Sequence, residues 1–482
     1  MVSAVIPFRY GPYRSHASAA VERQRRSGCV RDDGDEEVAA THNDSAAART
    51  GNMLSGSSRV LFQEVAMTMP SEPSRRDVLR AAGAVAAAAT VAADAGVAAE
   101  PPATRSPAHL PHARPEEIGL DPKQLRVAYD LLAKWTTGEN APVPGGAVVV
   151  GRNGKIVPPR LFGRQGPEPD APPIRDDAMF LLASITKPVV YLAGMMLVER
   201  GLLNLSDPVV RYVPEFRGPD KELVLVRHLF THTSGLPDML PDNLELRRKQ
   251  VPVQRFLDGA VRDTVLAFKP GTQLSYQSTG TAVVAEIIQR LSGQTIAEFL
   301  RKEIFDPLGL KSTALGAKGF PRERLVRVRL PAEQVGTDWG WNSPYWQQLG
   351  APWGGLFSTP EDLAVLCQLM LSKGTHAGVK LLSAASVRAM TTNRLAEFPE
   401  LPEPVARCKP WGLGWRLNHP GTAGSWGDLL GKEVYGHSGA TGTLLWIDPA
   451  SQGFCILLTT LPSEVAPWRL VSLSNAIAAA FV

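Results

Sequence analysis

Strand-like runs sit at both ends of the main body of this chain, and a long helix-patterned stretch separates them. Near the start, Ala147-Val148-Val149-Val150 leads into Gly151-Arg152-Asn153-Gly154 and then Lys155-Ile156-Val157. Asn-Gly between apolar runs is the strongest short signal for a hairpin turn, so Gly145–Val157 is expected to form one. Near the end, Gly412–Leu417, Val434–Tyr435, Thr443–Ile447 and Phe454–Thr460 read as further strands joined by short connections. Consecutive strands with short turns argue for an antiparallel sheet. The expected fold class is therefore α+β: an antiparallel sheet built from both ends of the chain, with an inserted all-helical lobe between them.

Helical periodicity supports this division. Asp121-Pro122 opens a helix with apolar positions Leu125, Ala128, Leu131 and Leu132, ending near Trp135. From about Met179 to Leu310 the pattern is helices and loops. Ser184–Arg200 is a strong helix stopped by Gly201, Arg227–Thr231 is a short piece, and Thr279–Leu291 and Thr295–Ile304 follow. A final helix spans about Trp468–Phe481. The N- and C-terminal helices flank the sheet, and a cleft between sheet and inserted lobe is the natural place for a site.

The first hundred residues belong to a different regime. Residues 1–66 are rich in Ala, Arg, Ser, Asp and Gly without an apolar period, as in a disordered segment or a start codon placed too early; Met67 and Met69 offer later starts. Residues 67–100 then carry Arg75-Arg76, an Ala-rich uncharged run from Ala81 to Ala93, and small residues before Pro101-Pro102. This is the layout of an export signal of twin-arginine type, with cleavage after Ala95 or Ala98. Asp94 interrupts the weakly apolar run, so stable membrane insertion is not expected. A mature protein outside the cytoplasm, periplasmic or extracellular, follows.

Composition narrows the function. With 51 basic and 47 acidic residues the formal charge is +4, too small to argue for nucleic acid. Cys29, Cys367, Cys408 and Cys455 form no C-x-x-C, and Cys367 and Cys455 lie in apolar runs where they would pack as small hydrophobes. His228 and His232 stand four apart, yet no glutamate completes H-E-x-x-H, so no metal is expected. Phosphate-binding glycine loops and the G-x-S-x-G elbow are missing too, and no cofactor is expected. Oligomeric state is not legible.

Three short stretches carry the chemistry. Ser184-Ile185-Thr186-Lys187 places a lysine one helical turn from a serine at a helix start, where the two side chains share a face. A serine hydroxyl needs a base to attack a carbonyl, and a lysine among Ile185, Val189 and Val190 can lose its proton near neutrality, because burial disfavours its charge. About one S-x-x-K match arises by chance in a chain of this composition, so the pair needs company. Tyr276-Gln277-Ser278 precedes the Thr279 helix, where the tyrosine is either a general base or a packing aromatic, with Ser278 as helix cap. Gly436-His437-Ser438-Gly439-Ala440-Thr441-Gly442 precedes the strand TLLWID, and its small residues would let a substrate lie against the strand edge.

S-x-x-K, then Y-x-S, then H-x-G, in that order, resembles the serine β-lactamase and penicillin-binding-protein superfamily. VRHLFTHTSGLPD (226–238), DPLGL (306–310), GGLFSTPEDLA (354–364), GLGW (412–415) and GHSGATGT with WIDP (436–449) look like its class C β-lactamase-related branch and family VIII esterases. The similarity covers roughly 115–482, with the helical lobe at about 179–345, and implies the β-lactamase/transpeptidase-like fold. It implies Ser184 as acylated nucleophile, Lys187 as proton acceptor or relay, and Tyr276 as the base for attack and deacylation. Ser278, His437, Gly439 and Ala440 would bind substrate, and the N–H groups of Ser184 and Ala440 would form the oxyanion hole. Which of Lys187 and Tyr276 takes the proton stays open, since the two titrate as a pair.

Two positions depart from the usual motif. Ser278 stands where asparagine is usual, with a shorter reach and one donor. His437 stands where lysine is usual, and is mostly neutral at pH 7, so recognition of a substrate carboxylate should weaken. The expectation is an exported serine hydrolase working through an acyl-enzyme on a small ester or amide. The alternatives are a β-lactamase or D-Ala-D-Ala carboxypeptidase, and, from another class, a catalytically weak homologue that binds cell-wall peptides.

Overall fold

The computed structural model describes residues 109–138, 141–422 and 424–482. The segments expected at 1–66 and 67–100 lie outside the described residues.

The first long helix, α1 (Pro122–Thr136), starts where the Asp121 carboxylate accepts the backbone N–H of Lys123 at 2.8 Å and of Gln124 at 3.4 Å. Pro122 occupies a first-turn position that has no helical donor to lose. Asp121→Ala should lower the unfolding free energy by about 1 kcal/mol, the usual cost of a lost cap; urea titration of the two proteins checks it.

Seven strands then form one antiparallel sheet. The hairpin pairs β1 (Gly145–Arg152) with β2 (Lys155–Ile156), turning through Asn153 and Gly154, both at positive φ. The next strand, β3 (Arg160–Gly163), pairs with the other half of β1. From the far end come β9 (Arg416–Leu417), β10 (Tyr435–Gly439), β11 (Thr443–Asp448) and β12 (Gly453–Thr459), and the order across the sheet is β2-β1-β12-β11-β10-β9. The two ends meet where β1 runs beside β12, from Gly146↔Thr459 to Arg152↔Gly453.

Both faces of this sheet are covered, which explains why its strands are apolar runs rather than alternating ones. Val148, Val150, Leu444, Trp446 and Leu457 face α1 and the last helix, α6 (Trp468–Ala478). Ala147, Val149, Leu445, Ile447, Ile456 and Leu458 face the inserted segment. Cys367 and Cys455 are buried, as their apolar neighbours imply.

The insertion carries α2 (Thr186–Glu199), α3 (Val253–Arg262), α4 (Thr279–Ser292) and α5 (Pro360–Leu371). Every residue of α2 from Thr186 to Leu197 is buried, as a helix apolar on all sides must be. The insertion is helical in the main but also holds β4 (Phe180–Leu181), β5 (Ala314–Leu315) and β6 (Leu356–Ser358), paired β4-β6-β5, and the hairpin of β7 (Thr375–His376) with β8 (Val379–Lys380). Strands of two or three residues are too short to show a period of two in sequence. The strand expected at Gly412–Leu417 shrinks to Arg416–Leu417, because Gly414 turns at φ 87 and gives its N–H to the Phe230 carbonyl at 3.0 Å.

Candidate active site

Beyond β4 the chain bends through a single 3-10 turn, Ala183–Ile185, into α2. Ala183 holds φ 48, a left-handed conformation that costs a non-glycine residue about 1–2 kcal/mol. Thr186 clamps the bend: its hydroxyl donates to the Ala183 carbonyl at 2.6 Å and accepts the Leu356 N–H at 3.0 Å. Ser184 sits half-buried at this elbow, and its backbone N–H has no partner among the described residues.

Lys187 lies one turn on, 1% exposed. Its ammonium donates to Ser184 Oγ at 3.2 Å and to the Trp353 carbonyl at 2.9 Å, and sits 4.7 Å from the centre of the Tyr276 ring. Burial pushes its pKa down to about 7, with Asp238 pulling weakly the other way. No hydrogen bond joins Ser278 to Lys187, whose second partner is the Trp353 carbonyl. Ser278 is buried and opens α4 without a side-chain cap. Its N–H goes instead to the Asp238 carboxylate at 2.8 Å.

Tyr276 rests on the loop His232–Gly235. His232, at φ 59, accepts the Gln277 N–H at its Nδ1 (3.2 Å), and the Ser234 hydroxyl donates to the Gln277 amide oxygen at 2.6 Å. His228 is likewise used locally, its Nδ1 accepting the Leu225 N–H at 3.0 Å. Desolvation raises the Tyr276 phenol pKa above its ordinary value, and the neighbouring Ser184 hydroxyl pulls it partly back. The residue as a whole keeps 36% of its surface open, which tempers the desolvation but not its direction.

The third wall is β10. His437 is 4% exposed, and its Nδ1–H donates to the Ser438 carbonyl at 2.7 Å. Burial and the Lys187 charge lower its pKa to about 3, so it is a neutral imidazole. Tyr276, His232, Trp411 and His437 form one ring cluster, with Trp411 4.5 Å from His232 and 6.0 Å from His437 between centroids. Trp411 carries no motif that marks it for this cluster. Trp353 packs on Phe256 at 5.6 Å, and Trp339 and Trp346 pack on Arg247 at 4.9 and 4.5 Å.

Gly439 brings β10 against the elbow. A Cβ there would overlap the Leu182 carbonyl and the Thr443 hydroxyl. Thr441 and Thr443 donate to the carbonyls of Leu181 and Leu182 at 2.8 and 2.9 Å, stapling the β10–β11 turn to the chain just before Ser184. The Ala440 N–H, like that of Ser184, has no partner among the described residues. Two such donors on adjoining segments can bind a developing oxyanion. Gly439→Val should separate them: at least about a hundredfold loss of turnover, with a lowered melting temperature. Activity and thermal melts measured together check it.

Comparison with known proteins adds the following. A family model described as Beta-lactamase matches residues 132–479, and one for the TAT (twin-arginine translocation) pathway signal sequence matches residues 72–92. The protein is therefore exported; no helix among the described residues is long and apolar enough to cross a membrane. A protein of Salmonella paratyphi B, named "Putative D-alanyl-D-alanine carboxypeptidase", is 28% identical over 393 residues, covering 73% of this chain and 86% of its own. Among solved structures, a penicillin-binding-protein homologue from Caulobacter crescentus superposes with a TM-score of 0.60 at 22% identity, over 75% of this chain and 99% of that one. EstCE1, a hydrolase with promiscuous acyltransferase activity, gives 0.59 at 17% over 74% and 99%. The D-amino acid amidase of Ochrobactrum anthropi SV3 gives 0.56 at 20% over 74% and 97%. At these identities the structural likeness concerns the fold.

Proposed function

The chain belongs to the beta-lactamase family, and on that premise we propose that it is an exported serine hydrolase that cleaves small esters or amides through an acyl-enzyme on Ser184. In this reading residues 67–100 direct export, 115–482 form the hydrolase, and about 179–345 form its second lobe.

The observation that carries the proposal is the buried Lys187 within 3.2 Å of Ser184 Oγ, its pKa lowered to about 7. Burial pushes the lysine down and the Tyr276 phenol up, which separates their roles. Neutral Lys187 takes the Ser184 proton as Oγ attacks the carbonyl. The Ser184 and Ala440 N–H groups hold the resulting oxyanion. Protonated Tyr276 gives a proton toward the leaving group, and the acyl-enzyme remains. Water then attacks the acyl carbon, its proton passing to the Lys187–Tyr276 pair, and Ser184 is restored.

Esters and amides are favoured because neutral His437 offers no charge to a carboxylate beside the scissile bond. The similarity to the protein named for carboxypeptidase activity supports a second reading, cleavage of D-Ala-D-Ala peptides. Mature protein assayed on a short-chain p-nitrophenyl ester, a chromogenic cephalosporin and a D-Ala-D-Ala peptide separates the two. The first reading expects the ester to be turned over far faster than the other two. A peptide or cephalosporin rate that equals or exceeds the ester rate overturns it.

A further inference from the structure

Beyond the residues discussed so far, Arg416 is a largely desolvated cation with no ion pair among the described residues. Arg416 pairs with Gly436 across β9 and β10, so it shares the sheet face of Gly436 and Ser438, opposite His437. Its guanidinium has no ion pair and no hydrogen bond among the described residues. Its guanidinium lies 5.5 Å from the centre of the Trp426 ring. Desolvation alone lowers its pKa, with no acid acting against it. The other deeply placed cations are engaged: Lys221 donates to the Val261 carbonyl at 2.9 Å, and Arg469 to the Thr459 hydroxyl at 3.2 Å and the Leu461 carbonyl at 2.6 Å. Arg416 instead faces a solvent-open pocket of about 240 Å³ that it lines with Ser425, Trp426, Ser438, Ser463 and Trp468.

This pocket adjoins the candidate catalytic strand. Ser463 gives its N–H to the Ala440 carbonyl at 3.1 Å and its hydroxyl to the Gly439 carbonyl at 3.3 Å. β9 covers β10 only at Tyr435 and Gly436, so the edge from His437 onward is open on that side. A substrate lying along that edge reaches the pocket with its far end. We infer that this pocket binds a carboxylate carried on the substrate remote from the scissile bond, with Arg416 as the counter-charge. The inference rests on the hydrolase reading above. It also revises what the missing lysine implied: charge recognition is moved to the other face of β10, not abolished. Ser438 and Gly436 lie two and four residues before Ala440, roughly 7 and 13 Å along a strand. The carboxylate therefore belongs at the end of a chain of several carbons.

The test uses mono-p-nitrophenyl esters of glutarate, adipate and suberate beside neutral p-nitrophenyl esters of matched length. For Arg416→Gln the ratio of kcat/KM on anionic over neutral esters should fall about tenfold, as expected for a lost charged hydrogen bond, mainly through KM. Arg416→Lys should restore part of it, and added salt should lower the wild-type ratio. An unchanged ratio, or equal losses on both ester classes, overturns the inference. If the wild-type protein cleaves neither class, the hydrolase reading fails and the pocket is still decided by calorimetry. Monomethyl adipate should then bind Ser184→Ala and lose that binding when Arg416→Gln is added; no binding, or equal binding, overturns it.

Discussion

Ser184→Ala lowers turnover of a short-chain p-nitrophenyl ester by about ten-thousand-fold or more, with circular dichroism and melting temperature close to the wild type. The size follows from what the hydroxyl does: without it no acyl-enzyme forms, and only binding and the oxyanion donors remain to speed attack by water. The fold should survive because Ser184 is half-buried and its side chain caps nothing. The strained Ala183 and its Thr186 clamp stay in place, since both rest on groups other than the Ser184 hydroxyl.

Lys187→Met lowers kcat/KM on the same ester by about a hundred- to ten-thousand-fold, the range of a lost general base, and changes the pH profile. Lys187 accepts a proton only when neutral. With its pKa lowered to about 7, the neutral fraction grows as pH rises through 7, so wild-type kcat/KM should climb there and level off above. The Met variant should lose that limb. Tyr276 does not produce it, because its phenol is held above its ordinary value and stays protonated through this range. Rates from pH 5 to 9 on both proteins check the assignment; a limb near pH 7 that persists in Lys187→Met places the base elsewhere. Methionine fills much of the lysine volume, so the buried site is not left hollow, though the Trp353 carbonyl loses its donor.

Much of the frame was legible because its sequence signals are local. The Asn153-Gly154 turn, the Asp121 cap and the Gly201 stop each answer a backbone demand at one position. The apolar runs of β1, β11 and β12 are long because helices cover both faces of the sheet. The site was legible as an ordered set of side chains: Ser184, Lys187, Tyr276 and His437 do converge. What sequence did not reveal depends on groups without a side-chain signature or on distant packing. The partner of Lys187 is a backbone carbonyl, that of Trp353. The α4 entry is capped by Asp238, far upstream of the Ser278 that local preference favoured. Trp411 enters the ring cluster from the position just before the stretch Gly412–Leu417 that read as a strand. The isolation of Arg416 shows only once every acid near it can be placed.

The account stands or falls on a covalent bond at Ser184. Incubation with a fluorophosphonate, followed by intact-protein mass and peptide mapping, measures it directly. One adduct per chain is expected, on the peptide holding Ser184, formed faster as pH rises through 7 and absent from Ser184→Ala. No adduct, an adduct on another serine such as Ser234 or Ser278, or labelling that persists in Ser184→Ala contradicts the account.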